Sequence, residues 1–234
     1  MSIRFNNKNF ENTCPVMVED IVVSPIQMNP VVRQRPVGFG ADFIRNGGGT
    51  RTVTITFAML VEDRDEREAG MQDVRDWAYS TTEKTLHLPM FANRHLECIC
   101  TQFPDHTYRK WWENKLKVVF TCFDNPFWTS DELIEVKAGN IFSIGGSATP
   151  LITIERSGTT KLTNQTFASK KESMTFTEIP AGDLVIDLNR QTAAIGNSSI
   201  MKNYKTNSTW IVPKIGANQY INGVGTIKYR ERWV

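Results

Sequence analysis

The sequence predicts a mostly β protein in two domains, an α+β unit over residues 1–128 and an antiparallel β-sandwich over 129–234. Three observations predict it. Apolar and polar residues alternate with a period of two in many short stretches, the signature of half-buried strands. Only one stretch, 66–79, has helical periodicity, and it lies in the first half. The third is a seam. In LKVVFTCFDNPFW (116–128), Leu116, Val118, Phe120 and Cys122 alternate with Lys117, Val119, Thr121 and Phe123 until Asp124-Asn125-Pro126 stops the strand. Phe127 and Trp128 follow at once, where a solvated linker would carry no rings. Pro126, Phe127 and Trp128 are therefore the expected anchors of a pinned domain junction.

Composition narrows the class. The chain of 234 residues is 40% hydrophobic and 22% charged, ordinary for a globular protein. A net charge of +2 gives no field to argue for nucleic-acid or membrane-surface binding. No apolar run reaches a membrane span, and MSIRFNNKNF has no signal-peptide core, which predicts folding in a cytosol without membrane insertion. Cys14, Cys98, Cys100 and Cys122 then read as reduced, apolar-packing thiols, since Cys98-x-Cys100 lacks the second pair that zinc requires.

In chain order, residues 18–23 read as a first strand, broken by Ser24-Pro25. Residues 26–35 read as an edge or irregular strand, because Pro30 and Pro36 deny them a central place. Residues 38–50, with Gly47-Gly48-Gly49, read as a mobile surface arm or long hairpin tip. The cleanest strand is 51–61, with Val53, Ile55, Phe57, Met59 and Val61 on one face and threonines opposite. The helix follows. Asp65 and Glu68 form a capping-box pattern, and Met71, Val74, Trp77 and Ala78 make a narrow stripe to lay on a sheet. Residues 85–90 and 94–103 read as a hairpin with Leu96, Cys98 and Cys100 inward. The aromatic, charged connector 104–114 leads to the seam strand.

Beyond Trp128, a short strand at 133–136 and a Gly/Ser-rich stretch at 139–150 precede strands at 151–156, 160–166, 173–179, 183–188, 191–195, 208–212 and 225–233. Short strands so spaced, with no helical pattern, predict the sandwich. The last strand either belongs to the sandwich or returns to the first domain.

No catalytic set stands out. His87 and His95 face each other across a predicted hairpin without a third ligand at a recognisable spacing, and His106 has no nucleophile elbow nearby. Asp63/Asp65 and Asp131/Glu132 look like caps and turns. Gly47-Gly48-Gly49-Thr50-Arg51 lacks the Lys-Ser/Thr ending of a phosphate loop and precedes a strand. The expectation is a non-enzyme with no metal and no cofactor. The basic and aromatic residues of 106–117 fit a protein contact better than nucleic-acid stacking, because Tyr, Trp and Arg dominate interface hot spots and the run is not strongly basic.

Three features resemble a known family: the strand RTVTITF (51–57) before a helix carrying Trp77, the junction Phe123-Asp124-Asn125-Pro126-Phe127-Trp128, and a second domain with GDLVID (182–187) and IKYRERW (227–233). Together they resemble the distal tail proteins of siphophage-type phages and prophages of Gram-positive bacteria. The resemblance implies a first domain built as a split β-barrel or sandwich with one helix, forming a hexameric ring around a DNA channel, and a galectin-like second domain. It implies a virion tail-tip location after synthesis in the host cytoplasm. Implied partners are further copies in one ring or two stacked rings, the tail tube protein, a tail-tip lysin or fibre hub, and in many phages receptor-binding proteins. The chain lacks the His-x-Asn-x-Arg and Trp-Gly-x-Glu with which galectins hold galactosides, so the sandwich is expected to be a docking scaffold.

A closed ring needs two different complementary surfaces per subunit. Gly47, Gly48, Gly49 and Arg51 on the arm, and Tyr108, Arg109 and Trp111 in the connector, are the candidate ring contacts. The alternative is a carbohydrate-binding adhesion module contacting the host wall through exposed Trp128, Trp210 and Tyr220.

Overall fold

The protein is seen in a computed structural model that describes residues 2–13, 16–27, 30–34, 41–46, 49–59, 64–104, 115–212 and 214–234. Its contacts divide into two compact units, Met1–Trp128 and Thr129–Val234. Both are mostly β, and every strand pairing given below is antiparallel.

The first unit opens with a hairpin of β1 (Arg4–Phe5) and β2 (Lys8–Asn9). Its loop residues Asn6 and Asn7 have φ of 49° and 62°, the left-handed turn that matches strand twist and that Asn tolerates. A single helical turn, α1 (Phe10–Thr13), precedes β3 (Met17–Val23). Next come β4 (Pro30–Gln34) and β5 (Ala41–Asn46), which pair with each other, then β6 (Arg51–Ala58) and the helix α2 (Arg64–Ala78). The unit continues through β7 (Lys84–His87), β8 (Arg94–Gln102) and β9 (Lys115–Cys122), and β10 (Trp128–Ser130) carries the boundary. Hydrogen-bonded order runs β3-β6-β9-β8-β7-β1-β2. One half of β8 serves β7 and the other half β9, so the sheet turns a corner within that strand.

Alternation puts Val53, Ile55 and Phe57 of β6 and Leu116, Val118 and Phe120 of β9 into the core. The helix lays Met71, Val74, Trp77 and Ala78 over them. Trp77 is the centre: its ring lies 4.9 Å from Phe10, 5.8 Å from Phe120, 5.9 Å from Phe5 and 6.3 Å from Phe57, mostly edge-on. Its indole N–H donates to the Lys8 carbonyl at 3.0 Å, so the ring is buried with no polar debt. Two expectations need correction. Residues 38–50 are not all loop, since β5 lies among them and makes 30–34 one limb of a hairpin; the flanking glycines hide its short pattern. The helix begins before Asp65, which places Asp65 and Glu66 in its first turn, where carboxylates offset the positive end of the helix dipole.

The second unit contains β11 (Ile134–Lys137), β12 (Ile141–Ile144), β13 (Ala148–Arg156), β14 (Leu162–Ala168), β15 (Ser173–Ile179), β16 (Leu184–Asp187), β17 (Thr192–Ile195), β18 (Ser198–Ser199), β19 (Gly216–Tyr220) and β20 (Thr226–Trp233). One sheet has the order β11-β20-β13-β16-β17-β18. The other joins the β12–β19 and β14–β15 pairs through reciprocal Ala168–Asn222 backbone bonds of 3.1 and 2.7 Å. Ile152, Ile154, Ile186 and Ile227 face Phe142, Phe167, Met174 and Phe176 across a dry sandwich core. The Tyr229 hydroxyl crosses it to donate to the Ser143 carbonyl at 2.7 Å.

Here too the sequence reading is corrected. The Gly/Ser-rich stretch 139–150, to which the sequence pattern assigns no strand, holds β12 and the start of β13. Residues 208–212 form no strand; 204–209 instead runs along the edge of β15, with Lys205 and Thr209 N–H groups donating to the Thr175 and Ser173 carbonyls. Its alternation serves one buried anchor, Ile211. At Gly225 φ is +108°, and a Cβ would lie 2.3 Å from the Glu155 carbonyl oxygen, so only glycine fits the approach to β13.

Candidate interaction surfaces

Of the candidate ring contacts, Gly47, Gly48, Tyr108, Arg109 and Trp111 lie outside the described residues. Gly49 is buried rather than held out on an arm. Arg51 begins β6 on the face that carries Val53, opposite Cys122 of β9, and is only 4% exposed. Its Nε and Nη1 are buried with no hydrogen-bond partner among the described residues. Burial pushes its pKa down, and the nearby Cys122 pulls it partly back up. A cation in this position costs free energy until an acceptor reaches it.

Pro126 is buried, Phe127 half-buried, and the Trp128 ring lies 4.6 Å from Phe91. Glu83 fastens the preceding turn, its carboxylate accepting the Phe123 and Asp124 N–H groups at 2.6 and 3.3 Å. The Asn125 side chain accepts the Phe127 N–H at 3.3 Å, an Asx turn that aims both rings.

His87 and His95 stand opposite in register with rings 5.5 Å apart, and His87 Nε2 meets the Arg4 guanidinium at 3.2 Å. His106 and Cys14 lie outside the described residues. Cys98, Cys100 and Cys122 are free and buried. Burial raises the Cys98 thiol well up, helped by Cys122, and pushes Cys100 up to about 11, so Cys98 and Cys100 stay protonated. Among the described residues, no helix is long and apolar enough to cross a membrane.

Two features escaped the sequence. Among the described residues β3 pairs only with β6, and Met17 and Val22 are exposed along it, an open edge of the kind that accepts another strand. In the second unit a cavity of about 220 Å³ lies over Phe142, Ile152 and Ile211, with Lys170, Lys171 and Lys214 at its mouth. The signal was present as adjacent lysines in the β14–β15 turn, but the β12–β19 floor was unread. The aromatic platform expected for sugar needs correction. Trp128 is 4% exposed, and Trp210 is half-buried, stacked near Tyr204 with its N–H given to the Leu188 carbonyl at 3.1 Å. Tyr220, also half-buried, lines the cavity.

An antiparallel barrel-like unit under one long helix, joined in sequence to a β-sandwich, defines a two-module β protein whose distinctive features are edges and rims. Among solved structures it is similar to the Dit (gp 19.1) protein of SPP1, described as a paradigm of the hub adsorption apparatus in Gram-positive-infecting phages. The TM-score is 0.74 at 13% identity, over 100% of this chain and 99% of that one, which establishes a shared fold. It also aligns with the phage P2 baseplate in its activated conformation with Ca, at TM-score 0.48 and 10% identity, over 100% of this chain and 99% of that one. No protein-family model and no curated protein matches the chain.

Proposed function

We propose that this chain is a distal tail protein, a structural subunit of the tail-tip baseplate of a siphophage-type phage or prophage of Gram-positive bacteria. The observation that carries the reading is end-to-end fold likeness to SPP1 Dit, with both modules present. In this reading six copies close a ring through their first units around the DNA channel, and the ring joins the tail tube protein to the tip lysin or fibre hub. The second units serve as docking modules for receptor-binding proteins. The open edge of β3 supports a first unit completed by neighbours, and Arg51 remains a proposed contact. Gly47, Gly48, Gly49, Tyr108, Arg109 and Trp111 remain proposed ring contacts.

Multi-angle light scattering and negative-stain microscopy of the purified chain test this. Six-fold rings with an open centre are expected, together with the chain's presence at the tips of purified tails. A monomer at every concentration, absent from tails, overturns it.

A further inference from the structure

The cavity in the second unit has a composition that specifies its occupant. Its floor is apolar, from Phe142, Ile152 and Ile211, and its volume of about 220 Å³ falls below the ~300 Å³ where small-molecule sites begin. Such a space is the size of one large side chain. The exposed apolar side chain in its lining is aliphatic, Val212, which is 50% exposed. Aliphatic rims bury apolar side chains, whereas sugar rings stack on flat aromatic faces.

Charge supplies the rest. Lys170, Lys171 and Lys214 stand at the mouth with a single carboxylate, Glu172. That carboxylate is already engaged, by Lys214 at 3.4 Å and the Ser169 hydroxyl at 3.0 Å. Partial burial pushes Glu172 up, yet Ser169 and Lys214 together hold it below its ordinary value, so it stays ionised. Among the described residues neither Lys170 nor Lys171 has a carboxylate partner. Their turn is itself built: Ser169 N–H donates to the Glu172 carbonyl at 2.8 Å, and the Ser169 hydroxyl accepts the Glu172 N–H at 3.1 Å.

We infer that this cavity is the docking site for an acidic polypeptide segment of another protein, which inserts one large apolar side chain over Phe142 and Ile211 and sets its carboxylates against Lys170 and Lys171. The inference rests on the reading of the second unit as a docking module, and it names the chemistry of the partner. Lysines at the rim steer and select, and the inserted side chain supplies the affinity.

The test uses the full chain and a fluorescein-labelled peptide with one tryptophan flanked on each side by glutamates. A twin with glutamines and a glycerol phosphate oligomer serve as comparison probes, all read by fluorescence anisotropy. The acidic peptide is expected to bind saturably, more weakly as salt rises, and about tenfold more weakly to the Lys170→Glu/Lys171→Glu double variant. Val212→Asp is expected to weaken it comparably, with unchanged melting temperature in both variants. Binding of the glutamine twin equal to the acidic peptide, or indifference to both variants, overturns the inference. Preferential binding of the glycerol phosphate oligomer overturns it in favour of an anionic glycan. Rings that form without peptide binding defeat this inference alone; peptide binding by a strict monomer defeats only the ring.

Discussion

The first unit concentrates its core on one residue, and the second spreads it. Trp77 touches Phe5, Phe10, Phe57 and Phe120, drawn from β1, α1, β6 and β9. In the second unit the aromatics form separate contacts instead: Phe142 with Tyr229, Phe167 with Phe176, and Tyr204 with both Phe176 and Trp210. The difference follows from the architecture. A helix laid on a curved sheet leaves a deep space at one level, which one large plate fills. Two facing sheets interdigitate along their whole length and have no such centre.

The sharpest way to break this comparison is Trp77→Ala. It should cost ~3–5 kcal/mol, the range for deleting a large buried aromatic, because four rings lose their partner together and the Lys8 carbonyl loses its donor. Urea unfolding followed by hydrogen exchange in β6 and β9 reads it. A loss no greater than that of Phe176→Ala in the second unit would remove the distinction.

The two units also use glycine differently. Gly225→Ala should destabilise the second unit by ~2 kcal/mol, since φ of +108° and the rigid Glu155 carbonyl both oppose a Cβ. Gly70→Ala in the helix should change stability by under ~1 kcal/mol, because the Cβ meets only the movable Met59 methyl, at 2.5 Å, and alanine favours helix. Thermal melts of the two variants check the ordering.

A smaller effect is expected at Arg51. Arg51→Met should leave the isolated chain within ~1 kcal/mol of the parent, or stabilise it, because a buried guanidinium whose Nε and Nη1 find no acceptor among the described residues is replaced by an apolar chain of similar reach. If Arg51 joins neighbours, the same variant forms fewer rings by light scattering. The smallest effect is in pH. The folded pKa of Glu172 lies below its unfolded value, so its stabilisation is present above that value, near 4.5, and fades as acid protonates the carboxylate. The gap in melting temperature between the parent and Glu172→Gln should close as pH falls to about 3.

How much of this was legible depends on the length and sidedness of each pattern. β6 and β9 alternate over eight residues against a buried face, so their register, and the Trp77 stripe above them, could be read directly. β12 has four residues in a Gly/Ser-rich setting, and β1 and β2 have two each, too short for a period to declare itself. Asn6-Asn7 did carry a hairpin signal in its tolerance of positive φ, but without long flanking strands it passed unnoticed. Residues 208–212 alternate and still form no strand, because their edge of β15 is met through the backbone of 205 and 209. Near the junction, the burial of Pro126 and Trp128 follows from apolar content that the sequence displays. The lysine-rimmed cavity was not legible, because it depends on tertiary placement of five separate segments.

The position of β20 has a consequence for how the second unit comes into being. It lies between β11 and β13, and its Tyr229 closes onto Ser143, 86 residues earlier. During synthesis the strand in the sheet's middle thus leaves the ribosome after both strands it joins, and until then those strands are half-partnered. Where many copies are made at once, that interval is when strands from different nascent chains compete for the same seat.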